Sequence, residues 1–170
     1  MYQSFAKSLV ASALCISSLV ALAQDAAIPR HLQLAREFVT NTKQENNSYS
    51  NRNIYTRMPG DLFASEYVVA TDCGGFVEDM FRRTNSGVLE QLKTKKFKTR
   101  FSIFDWHPSI EKQEAFTRIL KVTDIKPGDV AAWLYTEKVT HTLPGHILFI
   151  DSPPVKLEKP RKPLVDGLDQ

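Results

Sequence analysis

Cysteine is scarce in this chain, and the scarcity carries information. Cys15 and Cys73 are the only two, and Cys15 lies inside an N-terminal segment that reads as a removable leader. One remaining thiol excludes an internal disulfide, so stability has to come from packing. Long hydrophobic runs are also missing: the apolar stretch from Ser8 to Val20 is too short for a resident membrane helix. No arginine pair precedes that stretch, which argues against export in the folded state. Charge excess is small. Of 22 basic and 19 acidic residues only Lys7 falls in the leader, which leaves 21 against 19, a net +2. That balance implies neither nucleic-acid binding nor adsorption to a membrane surface. The four histidines and two cysteines show no close ligand spacing, since His141 and His146 are separated by a turn, so no metal or other cofactor is expected. Internal repeats are absent.

What is present begins with that leader. Residues 1–23 read as a secretory signal: Lys7 gives the positive start, Ser8 to Val20 the apolar stretch, and Ala21-Leu22-Ala23 a small-residue cleavage site before Gln24. Cys15 sits within the apolar run rather than at its end, which disfavours a lipid anchor. Residues 24–170 suffice for a single domain with its own core, and the leader places it in a periplasmic or secreted compartment.

Leu32, Leu34, Ala35, Phe38 and Val39 recur at helical spacing, predicting a first helix over 26–42 with Pro29 in its early turn. Asn46 to Asn53, rich in Asn and Ser, reads as an extended loop, and Pro59-Gly60 as a turn. Thr71 or Asp72 can cap a helix from about Gly74 to Thr84, with Phe76, Val77, Met80 and Phe81 as its apolar stripe. Asn85-Ser86-Gly87 is a stop signal. Lys93 to Arg100 is a basic run, either a solvated surface or a patch for an anionic partner. Glu114 to Leu120 predicts a short helix, Val130 to Tyr135 a buried strand, and His146 to Ile150 a second strand after the Pro144-Gly145 turn. The tail from Pro153 reads as loop.

A single thiol in an exported chain calls for a chemical explanation. A cysteine attacks only as the thiolate, and a free thiol pKa of about 8.5 leaves a few per cent ionised at neutral pH. The positive end of a helix and a neighbouring imidazolium both favour the thiolate. Cys73 opens a predicted helix, where the first is available. His146, starting a later strand behind a glycine, can supply the second, and strand alternation puts it on a face with Leu148 and Ile150. Two glycines after Cys73 permit close approach of another strand or a substrate. His107 and His141 read as a packing or capping residue and a loop residue.

Asp72-Cys73-Gly74-Gly75-Phe76-Val77, then Lys126-Pro127-Gly128-Asp129 before a hydrophobic strand, then Gly145-His146 at the next, resembles the NlpC/P60 cysteine peptidases. The matching blocks cover 71–81 and 125–150. The resemblance implies an α+β, papain-like fold with the Cys helix packed on an antiparallel sheet, and hydrolysis of an amide in bacterial cell-wall peptides. It makes Cys73 the nucleophile and His146 the general base, with a peptide or peptidoglycan-like substrate. The alternatives are a non-catalytic binding domain of the same fold, its site crippled by loss of a third residue, and an amidase or acyltransferase using the same pair on another substrate.

Gly74 stands where that family commonly has serine, and the insert between Cys73 and His146 is long. The family also carries a third polar residue on a strand after the histidine. Asp151 is nearest, but alternation sends residues 146 and 151 to opposite faces. Glu158, Asp166 and Asp169 lie in the proline-rich tail. The sequence therefore predicts either that the last strands lie beyond Gln170, the reading an unprotected sheet edge favours, or that a backbone carbonyl or water orients the imidazole.

Overall fold

The computed structural model describes residues 28–52, 54–92, 100–135 and 145–158. The expected leader, residues 93–99 of the basic run, His141 with its turn, and Asp166 and Asp169 of the tail lie outside them.

The first helix, α1, runs Arg30–Asn41. It starts behind Pro29, whose carbonyl accepts the Leu32 and Gln33 N–H groups at 3.0 and 3.1 Å, and it buries Leu32, Ala35 and Phe38. Strands β1 (Asn47–Tyr49), β2 (Tyr55–Arg57) and β3 (Val68–Thr71) form one sheet in the order β1-β3-β2. β1 lies parallel to β3 with Tyr49 opposite Thr71, and β2 lies antiparallel with Tyr55 opposite Ala70. Part of the expected 46–53 loop is therefore strand. The connection between β1 and β3 holds β2, so β3 gains a neighbour on each side.

β3 runs directly into α2, Cys73–Arg83. Asp72, in extended conformation, accepts the Gly75 N–H on its Oδ1 at 2.8 Å, satisfying one of the free donors of a helix start. Val77, Met80 and Phe81 are the buried stripe. The helix stops at Thr84, and Asn85 takes the left-handed backbone that asparagine tolerates. A single turn, α3 (Val88–Gln91), buries Leu89.

α4, Ile103–Glu111, was not marked as a helix by the sequence pattern. The Asp105 carboxylate turns back to accept from the Ser102 N–H at 3.0 Å and the Ser102 hydroxyl at 2.8 Å, fixing the start. The helix predicted over Glu114–Leu120 is absent. Gln113 and Ala115 adopt left-handed backbone at φ 57° and 60°, which a right-handed helix cannot contain, and the segment continues as coil to a short 3₁₀ turn at Val122–Asp124.

β4 (Val130–Leu134) and β5 (Gly145–Phe149) pair antiparallel, Val130 opposite Phe149 and Trp133 opposite His146. β4 is half-buried rather than fully buried. The fold is α+β, but among the described residues its strands form two small sheets, one of them mixed, rather than the single antiparallel sheet expected. The reason is α2: it packs on β5 of one sheet and on β2 and β3 of the other, so it lies between them. Its core side gathers Phe81, Phe101, Trp106 and Ile147, while Met80 meets Phe38 and Ala35 of α1. No described helix is long and apolar enough to cross a membrane.

Candidate active site

The site grows from the β3–α2 junction. Cys73 is the first residue of α2 and carries a free, half-buried thiol packed against the edge of the core. Asp72 Oδ1 occupies the Gly75 N–H, and the Asp72 carbonyl takes the Phe76 N–H at 3.0 Å. The Cys73 and Gly74 N–H groups, in the first turn of the helix, have no intrahelical carbonyl within reach. The other Asp72 carboxylate oxygen is ion-paired with Arg100, which also donates to the Asn51 carbonyl at 3.1 Å. The last residue of the basic run is thus a fixed, partly buried part of the site rather than a solvated charge.

Parallel pairing of β1 with β3 brings Tyr49 alongside. Its phenol is held above the usual tyrosine range, by burial first and then by the negative charge and hydrogen bonding of the Cys73 sulfur, with the Arg100 cation opposing. The side chain is 59% exposed overall, so solvent screening keeps the effect modest. Tyr49 and Cys73 also line the same cavity.

Local sequence chemistry fixes these positions. A β-carbon on Gly75 would run into the Thr71 hydroxyl and come within 2.7 Å of Ile54 Cγ2, so α2 can lie this close to the sheet only with glycine there. Gly145 is required in the same sense: a β-carbon would collide with the Trp133 carbonyl across the β4–β5 ladder. Next to it, His146 packs edge-to-face on Trp133, with ring centroids 5.3 Å apart and planes at 70°.

Cys73 and His146 line one open cavity of about 740 Å³. Its walls are α1, the β3–α2 junction, Tyr49 and β5, and they are mostly apolar. The candidate third residue, Asp151, lines the same cavity but is held by Arg36: its carboxylate accepts from Arg36 Nε at 2.7 Å while its carbonyl accepts from Arg36 Nη2. Glu158 is exposed in coil. Among the described residues no carboxylate reaches the His146 ring. Of the other histidines, His107 lies within α4 and approaches Glu111 at 3.5 Å, and His31 of α1 meets the Gly128 carbonyl at 2.9 Å beneath the Pro-Gly-Asp turn. No cluster of three metal-ligating side chains occurs among the described residues.

Cys73 and His146, the two residues singled out in the sequence, thus line one cavity, whereas Tyr49 and Arg100 were not singled out. Tyr49 arrives through a strand pairing between positions 22 apart, which no local signal announces. Arg100 looked like one more member of a charge run. Comparison with known proteins returns no match: no family model, no curated protein and no solved structure is significantly similar to the chain.

Proposed function

We infer that the chain is a cysteine hydrolase that cleaves an amide through a Cys73–His146 pair. The observation that carries this is the shared cavity: a helix-opening thiol and a strand histidine face the same space, with a phenol beside the sulfur. In the reaction the Cys73 thiolate attacks the amide carbonyl carbon, and the developing oxyanion is received by the Cys73 and Gly74 N–H groups. The C–N bond then breaks as the His146 imidazolium gives its proton to the leaving amine. Water, deprotonated by His146, hydrolyses the thioester, releasing the acid and restoring the thiol. Trp133 holds the imidazole plane by its edge-to-face contact, the part that a carboxylate, which none of the described residues supplies, would otherwise share.

The resemblance to the NlpC/P60 group supports a papain-like arrangement, an exported protein and a cell-wall peptide as substrate. A second reading, an amidase or acyltransferase on a less polar substrate, is favoured by the apolar cavity walls. Reaction with iodoacetamide at pH 6 tests the pair itself. Cys73 is expected to alkylate much faster than a free thiol, and His146→Ala to slow it at least about tenfold. Equal, slow rates in both proteins would leave an inert thiol and reduce the chain to a binding domain.

A further inference from the structure

We propose that the cavity beside Cys73 receives the acyl chain of an N-acyl amide, so that the substrate class is an unbranched apolar acyl group joined to an amine. This rests on the Cys73–His146 reading above and names what that site acts on. Leu32, Ala35 and Val39 lie on one face of α1 at spacings of three and four, a stripe about 10 Å long at the helical rise per residue. Val69, Phe76 and Leu148 line the cavity from the sheet, the start of α2 and β5. Leu32 and Ala35 are buried at the floor of this wall, whereas Val39 is 76% exposed, which leaves it as an open rim.

Charge decides the occupant. Among the described residues, the charged ones on the walls besides His146 are Arg36, Asp72 and Asp151. Arg36 is bound to Asp151, and Asp72 to Arg100. Each of these charges is therefore already partnered; the exposed Arg36–Asp151 pair is a weak one, but the Asp72–Arg100 pair next to Cys73 is only 33% and 15% exposed and holds its charge. An apolar chain breaks neither pair, and every methylene it buries gains transfer free energy. The acyl carbon sits at Cys73, the chain runs along α1, and the amine leaves toward solvent. Chemically the step is the one above: the C–N bond is exchanged for C–S, then for C–O by water, with no change in oxidation state.

The test is the full chain against aminomethylcoumarin amides of acetic, butyric, hexanoic, octanoic and decanoic acid. The expected result is a kcat/KM that rises about threefold to fourfold per added methylene, with a shallower rise in Val39→Asp, whose new charge sits on the exposed rim. Binding is measured separately in Cys73→Ala by calorimetry, where decanoyl-glycine is expected to bind at least about 100-fold more tightly than acetyl-glycine. Hydrolysis with a flat chain-length profile, or a charged peptide cleaved in preference to the decanoyl amide, overturns the acyl groove and leaves the hydrolase standing. Chain-length-dependent binding to Cys73→Ala without any hydrolysis by wild type does the reverse.

Discussion

Glu78 lies in the middle of α2, only 3% exposed, and it is the residue whose removal tests most directly how the site is held. One carboxylate oxygen accepts the buried Phe101 N–H at 2.9 Å, and the other accepts Arg82 at 2.5 Å. In Glu78→Ala the Phe101 N–H is left buried without an acceptor, at about 1–3 kcal/mol. The Arg82 contact adds less, because that side chain is half open to solvent and keeps Asp79 at 3.4 Å. The sum is about 3 kcal/mol, a large share of the stability of an ordinary domain. Glu78→Gln keeps an oxygen for Phe101 but loses the charge and the acceptor that meet Arg82, so about 1 kcal/mol is expected. In a domain of this size about 3 kcal/mol lowers Tm by about 6–12 °C. The effect reaches the site because the Phe101 carbonyl lies against Gly74 and Arg100 next to it holds Asp72. Urea and thermal unfolding followed by circular dichroism measure the first consequence, and Cys73 alkylation under native conditions the second. A Glu78→Ala protein within about 0.5 kcal/mol of wild type, the range of an unremarkable surface change, would refute the argument that this carboxylate ties the 100–101 segment to α2.

Gly75→Ala ordinarily strengthens a helix by about 1 kcal/mol, but here the clash with Thr71 and Ile54 is expected to reverse the sign, to a net loss of about 1–2 kcal/mol; Thr71→Ala in the same protein should restore part of it, and a Tm raised by Gly75→Ala alone would contradict the packing. Asp61 is held below the usual carboxylate range chiefly by hydrogen bonding from Arg83, with burial opposing. Its stabilising contribution is therefore present above the unfolded carboxylate pKa of about 3.9 and lost as pH falls through the lower folded value. The stability gap between wild type and Arg83→Met should accordingly narrow below about pH 4 in urea titrations at pH 7, 4 and 3, and a gap that stays constant to pH 3 would deny the pairing. Tyr49 titrates in the opposite sense: its raised value means that its contribution is complete below about pH 10 and disappears above the folded value. Difference absorbance against Tyr49→Phe should show the phenolate forming at lower pH in Cys73→Ala than in wild type, because the sulfur's charge and hydrogen bond are gone; an unchanged midpoint would separate the two side chains.

What the sequence made legible was local. Asp72 announces a helix start through a carboxylate three residues before the N–H it accepts, and that places Cys73 without reference to the rest of the chain. Gly145 and the alternation after it orient β5 in the same way, so His146 could be read from a few neighbours. The illegible parts are those decided at a distance or against a local preference. β1 is three exposed residues with no alternation to read, and its parallel partner lies beyond the intervening β2. His107-Pro108 looks like a helix boundary, yet α4 carries Pro108 inside and continues to Glu111. Ala115, Phe116, Ile119 and Leu120 have helical spacing, but the chain spends Phe116 on the core against Phe81 and Trp106 and leaves Leu120 exposed. Periodicity reports which residues share a face of a hypothetical helix, and says nothing of whether a core exists on that side.

The same division bears on the chemistry. A thiol and an imidazole line one cavity here between two sheets that do not pair with each other among the described residues; α2 spans them, touching β3 through its start and β5 through Val77 and Ile147. The relative position of Cys73 and His146 is therefore set by side-chain packing along one helix face rather than by a continuous hydrogen-bond ladder. Packing tolerates small volume changes poorly. Val77→Ala or Ile147→Ala, at fully buried positions behind the site, would thus change Cys73–His146 geometry as well as stability, whereas Arg36→Ala, in an exposed ion pair on the same cavity, would change neither by much. The register of the site is in its apolar backing, and the polar residues read from the sequence report where that backing has put them.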